Sequence, residues 1–192
     1  MDPAGTIARL QPLLLSVETA LDLEPPAAVE SAVLVPLTDD NGVLSVILTR
    51  RRDDLRHHAG EYSFPGGRRD PGEVNLLATA LRETHEEIGI PPTQVQLIGA
   101  LQPTATIATG FSVHPFVGVV PTGTALIAAP DEVAEILLVP LADLIAGADR
   151  AVMKRRDLAF RTAVFPVNER VIWGATARIL SDLLARIGPA SA

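Results

Sequence analysis

The feature that constrains the fold most is a long segment without any charged side chain. From Ile88 to Pro130 the chain contains no Asp, Glu, Lys or Arg. A membrane-spanning helix would need about 20 mostly apolar residues in succession, but prolines interrupt this segment at positions 91, 92, 103, 115 and 121. We therefore expect buried β-strands joined by turns, and we predict strands over Val95–Leu101 and Ser112–Val120.

The rest of the chain mixes helix and strand patterns without regular alternation. Apolar residues recur at helical spacing over Thr6–Leu23, and Pro25-Pro26 should end that helix. Two β-rich runs flank Asn41-Gly42, which is typical of a hairpin. The other predicted elements are strands over Ser31–Leu37, Val43–Leu48 and Ala134–Val139, a strand or hairpin over Leu158–Val167, and helices over Val74–Ile88, Leu141–Ile145 and Val171–Ile187. Such a mixture indicates a mixed sheet covered by helices.

Composition narrows the classes of function. The net charge of −7 disfavours a general nucleic-acid binder, because such a protein needs a basic surface to displace counterions from phosphates. A small phosphate-bearing ligand stays compatible, since a local basic patch can lie on an acidic protein. The chain has no cysteine, which excludes disulfides, thiolate nucleophiles and cysteine zinc sites. Residues 1–10 lack a basic region followed by an apolar run, so we expect a cytoplasmic protein.

An acidic helix carries the clearest sign of chemistry. Within the helix predicted over Val74–Ile88, Glu83, Glu86 and Glu87 stand at i, i+3 and i+4. Their carboxylates should therefore cluster on one exposed face, opposite the apolar positions that pack on the sheet. Their mutual repulsion costs stability unless a cation lies among them, and hard oxygen ligands favour Mg²⁺ or Mn²⁺. Arg82 lies one turn before Glu86 and is placed to orient it.

The loop before this helix decides between two interpretations. Three glutamates on a helix are commonly no more than a solvated face. Phe64-Pro65-Gly66-Gly67, however, is a constrained turn, and glycine lets the backbone approach a ligand or a metal closely. We therefore interpret the turn and the helix together as a cation and phosphate site.

The combined segment resembles the signature of the Nudix hydrolases. Gly67 is followed by five residues, Glu73, eight residues and then Arg82-Glu83-Thr84-His85-Glu86-Glu87-Ile88-Gly89-Ile90. The family pattern has Gly, five residues, Glu, seven residues, Arg-Glu, an apolar residue, any residue, Glu-Glu, any residue, Gly and an apolar residue. The departures are one extra residue before Arg82 and Thr84 in place of an aliphatic residue. The first departure puts the role of Glu73 in question more than the roles of the helix glutamates.

The segment upstream resembles the coenzyme A pyrophosphatase branch of that family. The branch signature reads Leu-Leu-Thr, any residue, Arg, Ser or Ala, three residues, Arg, three residues, Gly, three residues and Phe-Pro-Gly-Gly. Arg51, Arg56, Gly60 and Phe64 to Gly67 fall in register, whereas Arg52 stands where a small residue is usual. Residues 113–118 and 172–177 resemble later parts of the same branch.

A basic cluster in this upstream segment suits phosphate recognition, because arginine offers a planar fork of donors. Its members are Arg50, Arg51, Arg52, Arg56, His57 and His58. Coenzyme A carries a 3′-phosphate besides its pyrophosphate, and we expect Arg51 or Arg56 to contact it. A solvated basic loop is the alternative interpretation.

The resemblance implies an α/β fold, namely a Nudix-type α/β/α sandwich around a mixed β-sheet. The domains expected are a helical extension over residues 1–26, a Nudix hydrolase domain over residues 27–170, and a C-terminal helix over residues 171–192 that packs on it. The reaction implied is the Mg²⁺- or Mn²⁺-dependent hydrolysis of coenzyme A, or of a derivative, to 3′,5′-ADP and 4′-phosphopantetheine. The alternatives are a Nudix hydrolase for ADP-ribose, dinucleotides or oxidised nucleoside triphosphates, and a non-catalytic nucleotide sensor. We expect neither a nucleic acid nor a membrane as partner, and a homodimer stays open.

The same resemblance implies roles for individual residues. The metal ligands expected are the Gly67 carbonyl with Glu83, Glu86 and Glu87. The residues expected to bind substrate are Arg51, Arg56, Gly60, Phe64 and Gly66. Within the helix, Glu86 and Arg82 are the catalytic candidates.

A further candidate for the general base is Glu132. A carboxylate bound to a metal is a poor base, because the cation lowers its pKa, so a base outside the metal ligands is attractive. Asp131-Glu132-Val133 is predicted to form a turn before the strand Ala134–Val139, from which Glu132 would project over the helix. A solvated acidic turn is one alternative, and Glu86 as the base is another.

Overall fold

The computed structural model describes residues 2–25, 27–55, 58–106, 110–155 and 158–188. Arg56, which we expected to bind substrate, and His57 of the basic cluster lie outside the described residues.

Within those ranges the chain forms five α-helices and eleven β-strands. The helices are α1 (Pro3–Leu10), α2 (Val17–Leu21), α3 (Leu76–Ile88), α4 (Leu141–Gly147) and α5 (Gly174–Ile187). The strands are β1 (Val29–Asp40), β2 (Val43–Arg51), β3 (Tyr62–Ser63), β4 (Gly66–Arg68), β5 (Gln96–Ala100), β6 (Thr104–Ala105), β7 (Phe111–Val120), β8 (Val133–Pro140), β9 (Asp149–Arg155), β10 (Leu158–Val167) and β11 (Arg170–Ile172). Short 3₁₀ turns cover Gln11–Leu13 and Pro92–Gln94. No helix in these ranges combines the length and the hydropathy that crossing a bilayer requires.

The main sheet is mixed, because β1 runs parallel to β7 while its other pairings are antiparallel. On its other edge, β1 pairs with β2 only near the hairpin, over residues 37–40. Further from the hairpin the same edge of β1 pairs with β4, and the facing edge of β2 pairs with β3. The two long strands therefore diverge, residues 62–68 fill the gap between them, and the candidate site lies at this split.

Helices cover both faces of the sheet, which confirms the predicted α/β/α sandwich. Neighbouring residues of β1 point to opposite faces, as the pleat requires. Leu34 packs in a cluster with Ala80 of α3, and Val35 packs in another cluster with Leu180 of α5. All four side chains are fully buried. Burial of an apolar side chain of this size stabilises a fold by roughly 1.5–3 kcal/mol, so both helices are fixed firmly on the sheet.

The prediction of one continuous helix over Thr6–Leu23 is wrong, because the helix is interrupted in its middle. α1 ends at Leu10, and Leu15 instead pairs with Ala100 of β5 through two backbone hydrogen bonds of 3.0 Å. A new helix, α2, begins after Ser16, whose hydroxyl accepts from the Thr19 amide at 3.1 Å. Pairing with the sheet edge satisfies the backbone of Leu15, which a local helical pattern cannot foresee.

Other boundaries also differ from the predictions. The helix predicted from Val171 begins at Gly174, because Val171 and Ile172 pair with β10 as strand β11. β9 was not predicted, since its charged sequence shows no strand pattern. The glycine pair Gly66-Gly67, expected in a turn, belongs to the short strand β4.

Candidate active site

The acidic helix α3 is fixed by local signals at both ends. The Asn75 side chain accepts from the Ala78 amide at 2.9 Å, and Gly89 ends the helix with a φ of 75°. Thr84 is fully buried, and its hydroxyl donates to the Ala80 carbonyl at 2.6 Å. With one face fixed on β1, the helix holds its glutamates at defined positions near β4.

Arg82 joins three carboxylates of the site. Its Nε donates to Glu73 Oε1 at 2.9 Å, and its Nη1 donates to Glu83 Oε1 at 2.9 Å and to Glu86 Oε2 at 2.8 Å. The hydrogen bond to Glu73 and the charges of Glu83 and Glu86 raise the pKa of Arg82, and burial opposes them only in part. Arg82 therefore orients Glu86, as the sequence suggested, and it orients Glu83 as well.

Glu73 is tightly held despite the extra residue in the spacing. Its Oε2 accepts from the Asp70 amide and from the Thr79 hydroxyl, both at 2.7 Å. Burial raises the pKa of Glu73, but hydrogen bonds from Arg82, Thr79 and the Asp70 amide outweigh it and bring the pKa to about 2. Glu73 is therefore ionised, and its contacts make it the anchor of Arg82.

The Glu83 carboxylate lies directly against the backbone of Gly67. A Cβ atom added at Gly67 would stand 2.3 Å from Glu83 Oε1, so only glycine leaves this carboxylate its place. Burial raises the pKa of Glu83, the Arg82 charge opposes the rise, and the charges of Glu86 and Glu132 add to it.

Glu87 is buried, with 4% of its surface exposed, so the expectation that all three helix glutamates share an exposed face is wrong. Its Oε2 accepts from the Gly66 amide at 3.3 Å, and its Oε1 lies 3.7 Å from Arg51 Nη1. Burial, reinforced by the charge of Glu83 and opposed by Arg51, raises the pKa of Glu87 to about 8. Glu86, in contrast, has a side chain that is 57% exposed. The helical pattern gives the spacing of the carboxylates but does not show that β4 covers one of them.

Arg51 links the helix to Glu132. Its Nη2 lies 3.8 Å from Glu132 Oε2, while its Nη1 faces Glu87. The Arg52 amide donates to the Glu132 carbonyl at 3.0 Å, so this residue is held beside the end of β2. Glu132 immediately precedes β8, which begins one residue earlier than predicted, at Val133. The structure therefore brings Glu132 to the edge of the carboxylate group, by which we mean the cluster of Glu83, Glu86 and Glu87.

Arg50 and Arg52 of the basic cluster turn towards nearby carboxylates. Arg50 pairs with Asp53 at 3.1 Å and with Glu135 at 3.2 Å, and Arg52 pairs with Asp54 at 2.7 Å. These arginines are held by local acids, so Arg51 is the arginine of residues 50–52 that faces the site.

Gly60 is not brought to the site as expected. A Cβ atom at Gly60 would stand 2.4 Å from Asp53 Oδ1 and 2.6 Å from Arg170 Nη1, and its φ is +67°. The Gly60 carbonyl accepts from Arg170 at 3.2 Å. Glycine at this position therefore allows the loop to pack against β11, which is a structural role.

A cavity of about 630 Å³ adjoins the carboxylates. Arg51, Phe64, Gly66, Gly67 and Arg68 form its end near α3. Its remaining wall includes residues that the sequence interpretation did not identify as binding residues: Phe111, Phe160, Trp173, Arg178 and Ile179. The volume lies within the roughly 300–1,000 Å³ of small-molecule sites.

The acidic side chains suit a hard divalent cation, although they are now held by arginines. Among the described residues, no three acidic or histidine side chains converge as a ready cation cage. Glu83 and Glu87 are nevertheless two carboxylates whose pKa is raised by burial and by repulsion from neighbouring glutamates, next to the backbone of Gly67. A cation among these oxygens would relieve that repulsion, and oxygen ligands of this kind are those that Mg²⁺ and Mn²⁺ prefer.

Known proteins are similar to this chain in sequence, and solved structures are similar to it in fold. The NUDIX domain family matches residues 29–160 of the chain. The chain is 39% identical over 163 residues to the uncharacterized Nudix hydrolase NudL of Cronobacter sakazakii, with 83% of each protein covered. It is also 39% identical over 145 residues to NudL of Photorhabdus laumondii, covering 74% of this chain and 77% of the relative.

Solved structures with the same fold include an Ap4A hydrolase of C. elegans in a binary complex. The TM-score is 0.52 at 23% identity, over 62% of this chain and 85% of that one. A MutT/nudix family protein from Enterococcus faecalis reaches a TM-score of 0.56 at 15% identity, over 97% of this chain and 74% of that one. At these identities the likeness concerns the fold alone. With the domain match and the relatives above, it shows that the chain belongs to the Nudix hydrolase family.

Proposed function

We propose that the protein is a Mg²⁺- or Mn²⁺-dependent pyrophosphohydrolase whose substrate is coenzyme A or a derivative of it. Nudix hydrolases generally use divalent cations and act on small nucleotide substrates. The observation that carries the proposal is that one cavity extends from Arg51, Gly66 and Gly67, which contact Glu83 and Glu87, to an aromatic wall. The resemblance of Ile47–Ile90 to the coenzyme A branch selects the substrate.

The cavity suits a nucleotide that has a long uncharged arm on the far side of its pyrophosphate. Five of the chain's seven aromatic residues line it, in a protein with only 4% aromatic residues. Aromatic faces stack on bases and pack against apolar chains. The two halves of coenzyme A, adenosine phosphate and pantetheine, offer both kinds of surface on either side of the bond to be cleaved.

The residues of the site would divide the work as follows. Glu83, Glu86, Glu87 and the Gly67 carbonyl would hold the divalent cation, which neutralises the pyrophosphate and acidifies water. Arg82 keeps Glu83 and Glu86 in place through its 2.9 and 2.8 Å hydrogen bonds. In this family of reactions, positioning and electrostatic stabilisation supply most of the rate enhancement.

Product analysis tests the proposal. With coenzyme A and Mg²⁺ we expect 3′,5′-ADP and 4′-phosphopantetheine as the products, and no turnover in the presence of excess EDTA. The products are separated by anion-exchange chromatography. Cleavage of ADP-ribose to AMP and ribose 5-phosphate, or cleavage of a dinucleotide, with coenzyme A left intact would overturn the choice of substrate and leave the family assignment unchanged.

We further propose Glu132 as the general base. Its side chain is 53% exposed, and its charge acts on both Glu83 and Glu87. Arg51 Nη2, at 3.8 Å, keeps the carboxylate at the edge of the metal-binding oxygens without making it one of them. From there Glu132 is placed to take the proton of an attacking water.

Glu132→Gln should lower kcat by roughly 100-fold, a typical contribution of a general base, with the affinity for Mg²⁺ little changed. The acidic limb of the pH–rate profile should flatten, because that limb would report the ionisation of the base. Glu135→Gln is the matched control, since Glu135 lies on β8 and pairs with Arg50 instead of Arg51. A Glu132→Gln profile and kcat equal to those of the wild type would eliminate Glu132 and return the role to Glu86.

A further inference from the structure

The wall of the cavity is basic, although the protein has a net charge of −7. Among the described residues that line it are three arginines, Arg51, Arg68 and Arg178, and one carboxylate, Glu61. Glu61 pairs with His58 at 2.8 Å. The cavity is therefore a local site for an anion on an acidic protein.

Two of these arginines differ from the third in their partners. Arg51 already pairs with Glu87 and Glu132. In the part of the chain that the structure describes, no carboxylate pairs with Arg68 or Arg178. Arg68 adjoins the carboxylate group, because its own carbonyl accepts from Arg82 at 3.4 Å. Arg178 belongs to α5, on the opposite wall.

Arg178 is a half-buried cation that pairs with no carboxylate of the described residues. Its Nη2 donates a hydrogen bond to the backbone carbonyl of Ala105. Burial lowers the pKa of Arg178. A guanidinium has five donors in a planar fork, so most of its donors stay available to a ligand in the cavity. Taking a charge out of water costs stability unless a partner compensates, which favours an anion as that partner.

The sheet separates the two arginines. In the register of the strands, Arg68 of β4 faces Ser31, Ser31 faces Val113, and Val113 faces Thr104 of β6. Three strand spacings correspond to about 14 Å. Arg178 contacts β6 at Ala105, next to Thr104. An anion on Arg178 would therefore be a second group of the ligand, apart from the pyrophosphate at the carboxylate end.

Aromatic residues accompany Arg178 in this part of the cavity. The rings of Phe160 and Trp173 have centroids 6.5 Å apart, and Phe111 lines the same cavity. Aromatic faces bind a nucleobase by stacking, while an arginine fork binds phosphate oxygens in pairs. A base beside a phosphate monoester combines the two chemistries that this wall offers.

We propose that Arg178 binds the 3′-phosphate of the coenzyme A nucleotide and so makes the enzyme prefer coenzyme A over dephospho-coenzyme A. This inference rests on the proposed function. It assigns the contact with the 3′-phosphate to Arg178 on the C-terminal helix instead of Arg51. Arg51 is already paired with Glu87 and Glu132.

Kinetics with the two substrates test this specificity. We expect Arg178→Gln to lower kcat/KM for coenzyme A by roughly 10- to 100-fold, the range of hydrogen bonds to a charged group, and to leave dephospho-coenzyme A nearly unaffected. Arg178→Lys keeps the charge and should retain part of the preference. Arg186→Gln is the matched control, because Arg186 lies on the same helix and pairs with Asp182 at 3.0 Å. Equal losses for both substrates would overturn the inference and leave Arg178 with the structural contact to Ala105.

Binding measurements without turnover separate this inference from the proposed function. In calorimetric titrations, the wild-type protein should bind 3′,5′-ADP more tightly than 5′-AMP, and Arg178→Gln should bind the two alike. Equal binding of the two nucleotides by the wild type would overturn the inference even if the Gln variant did not fold. If coenzyme A is not hydrolysed but the preference for 3′,5′-ADP depends on Arg178, the proposed function fails and the phosphate site stands.

Discussion

Glu87→Gln is expected to lower kcat by roughly two to three orders of magnitude, as the loss of one preorganised charge in an active site typically does. The substitution keeps the volume of the side chain and removes its negative charge. Glu87 is buried beside the Gly66 amide and lies 3.7 Å from Arg51, so the substitution removes a charge from the interior of the site. Steady-state kinetics at several Mg²⁺ concentrations measure the effect. Near-wild-type kcat at saturating Mg²⁺ would remove Glu87 from the site.

The same variant should change how stability depends on pH in the metal-free protein. The pKa of Glu87 is about 8 in the folded protein and 4.5 without its surroundings. Between these values the folded state keeps a proton that the unfolded state has lost, so stability falls as pH rises from about 4.5 to about 8. Glutamine cannot lose that proton, and the Tm of Glu87→Gln should fall less over this range.

Glu86→Gln is the matched control for the effect of Glu87→Gln on the pH dependence of stability. We expect it to reduce turnover by orders of magnitude as well, because Glu86 is a proposed metal ligand. Its side chain is largely exposed and hydrogen-bonded to Arg82 at 2.8 Å, so the substitution should keep the wild-type dependence of Tm on pH. The same slope in Glu87→Gln and in the wild type would contradict the raised pKa.

Arg82→Gln is expected to damage both stability and activity. It removes the partner of Glu73, Glu83 and Glu86 at once, and the side chains of Glu73 and Glu83 have little access to water. Loss of hydrogen bonds to buried charges of this kind costs roughly 2 to 4 kcal/mol. Thermal unfolding and metal titration measure the change, and added Mg²⁺ should restore part of the lost stability by neutralising Glu83 and Glu86.

Two other variants define what the Arg82 result means. Arg82→Lys keeps the charge but offers one ammonium group to three carboxylates, so we expect partial recovery. Arg69→Gln removes a nearby arginine whose pair with Glu30, at 3.1 Å, is partly exposed, and its cost should stay below about 1 kcal/mol. Equal effects of the Arg69 and Arg82 substitutions would show that Arg82 is an ordinary surface arginine.

The parts of the fold that could be predicted from the sequence are those that local chemistry determines. Gly89 marks the end of α3, and Asn41-Gly42 marks the turn between β1 and β2, because both need backbone conformations that few residues adopt easily. The break in the N-terminal helix escaped prediction because Leu15 pairs with a residue 85 positions away. β9 escaped because its order comes from pairing with β10 along seven residues.

The candidate site likewise has features that local chemistry determines and features that depend on distant parts of the chain. The sequence predicts that Glu86 and Glu87 lie one turn after Glu83, and that Arg82 contacts Glu86, since helical spacing fixes both. The burial of Glu87 could not, because it requires β4 to pack over the helix. Arg178 gave no signal at all, since a single arginine on an amphipathic helix is commonly solvated until the fold places it on a cavity wall.

Part of the far wall of the cavity lies outside the stretch of chain that matches the family. Trp173, Arg178 and Ile179 follow the NUDIX match, which ends at residue 160. Helix α5 is tied to the cavity edge by the Thr176 hydroxyl, which donates to the Tyr62 carbonyl at 3.3 Å. Under the proposal for Arg178, part of the ligand choice thus resides on a stretch of sequence that follows the family match. Substitutions in the C-terminal segment would then change the preferred nucleotide while leaving the acidic helix α3 unaltered.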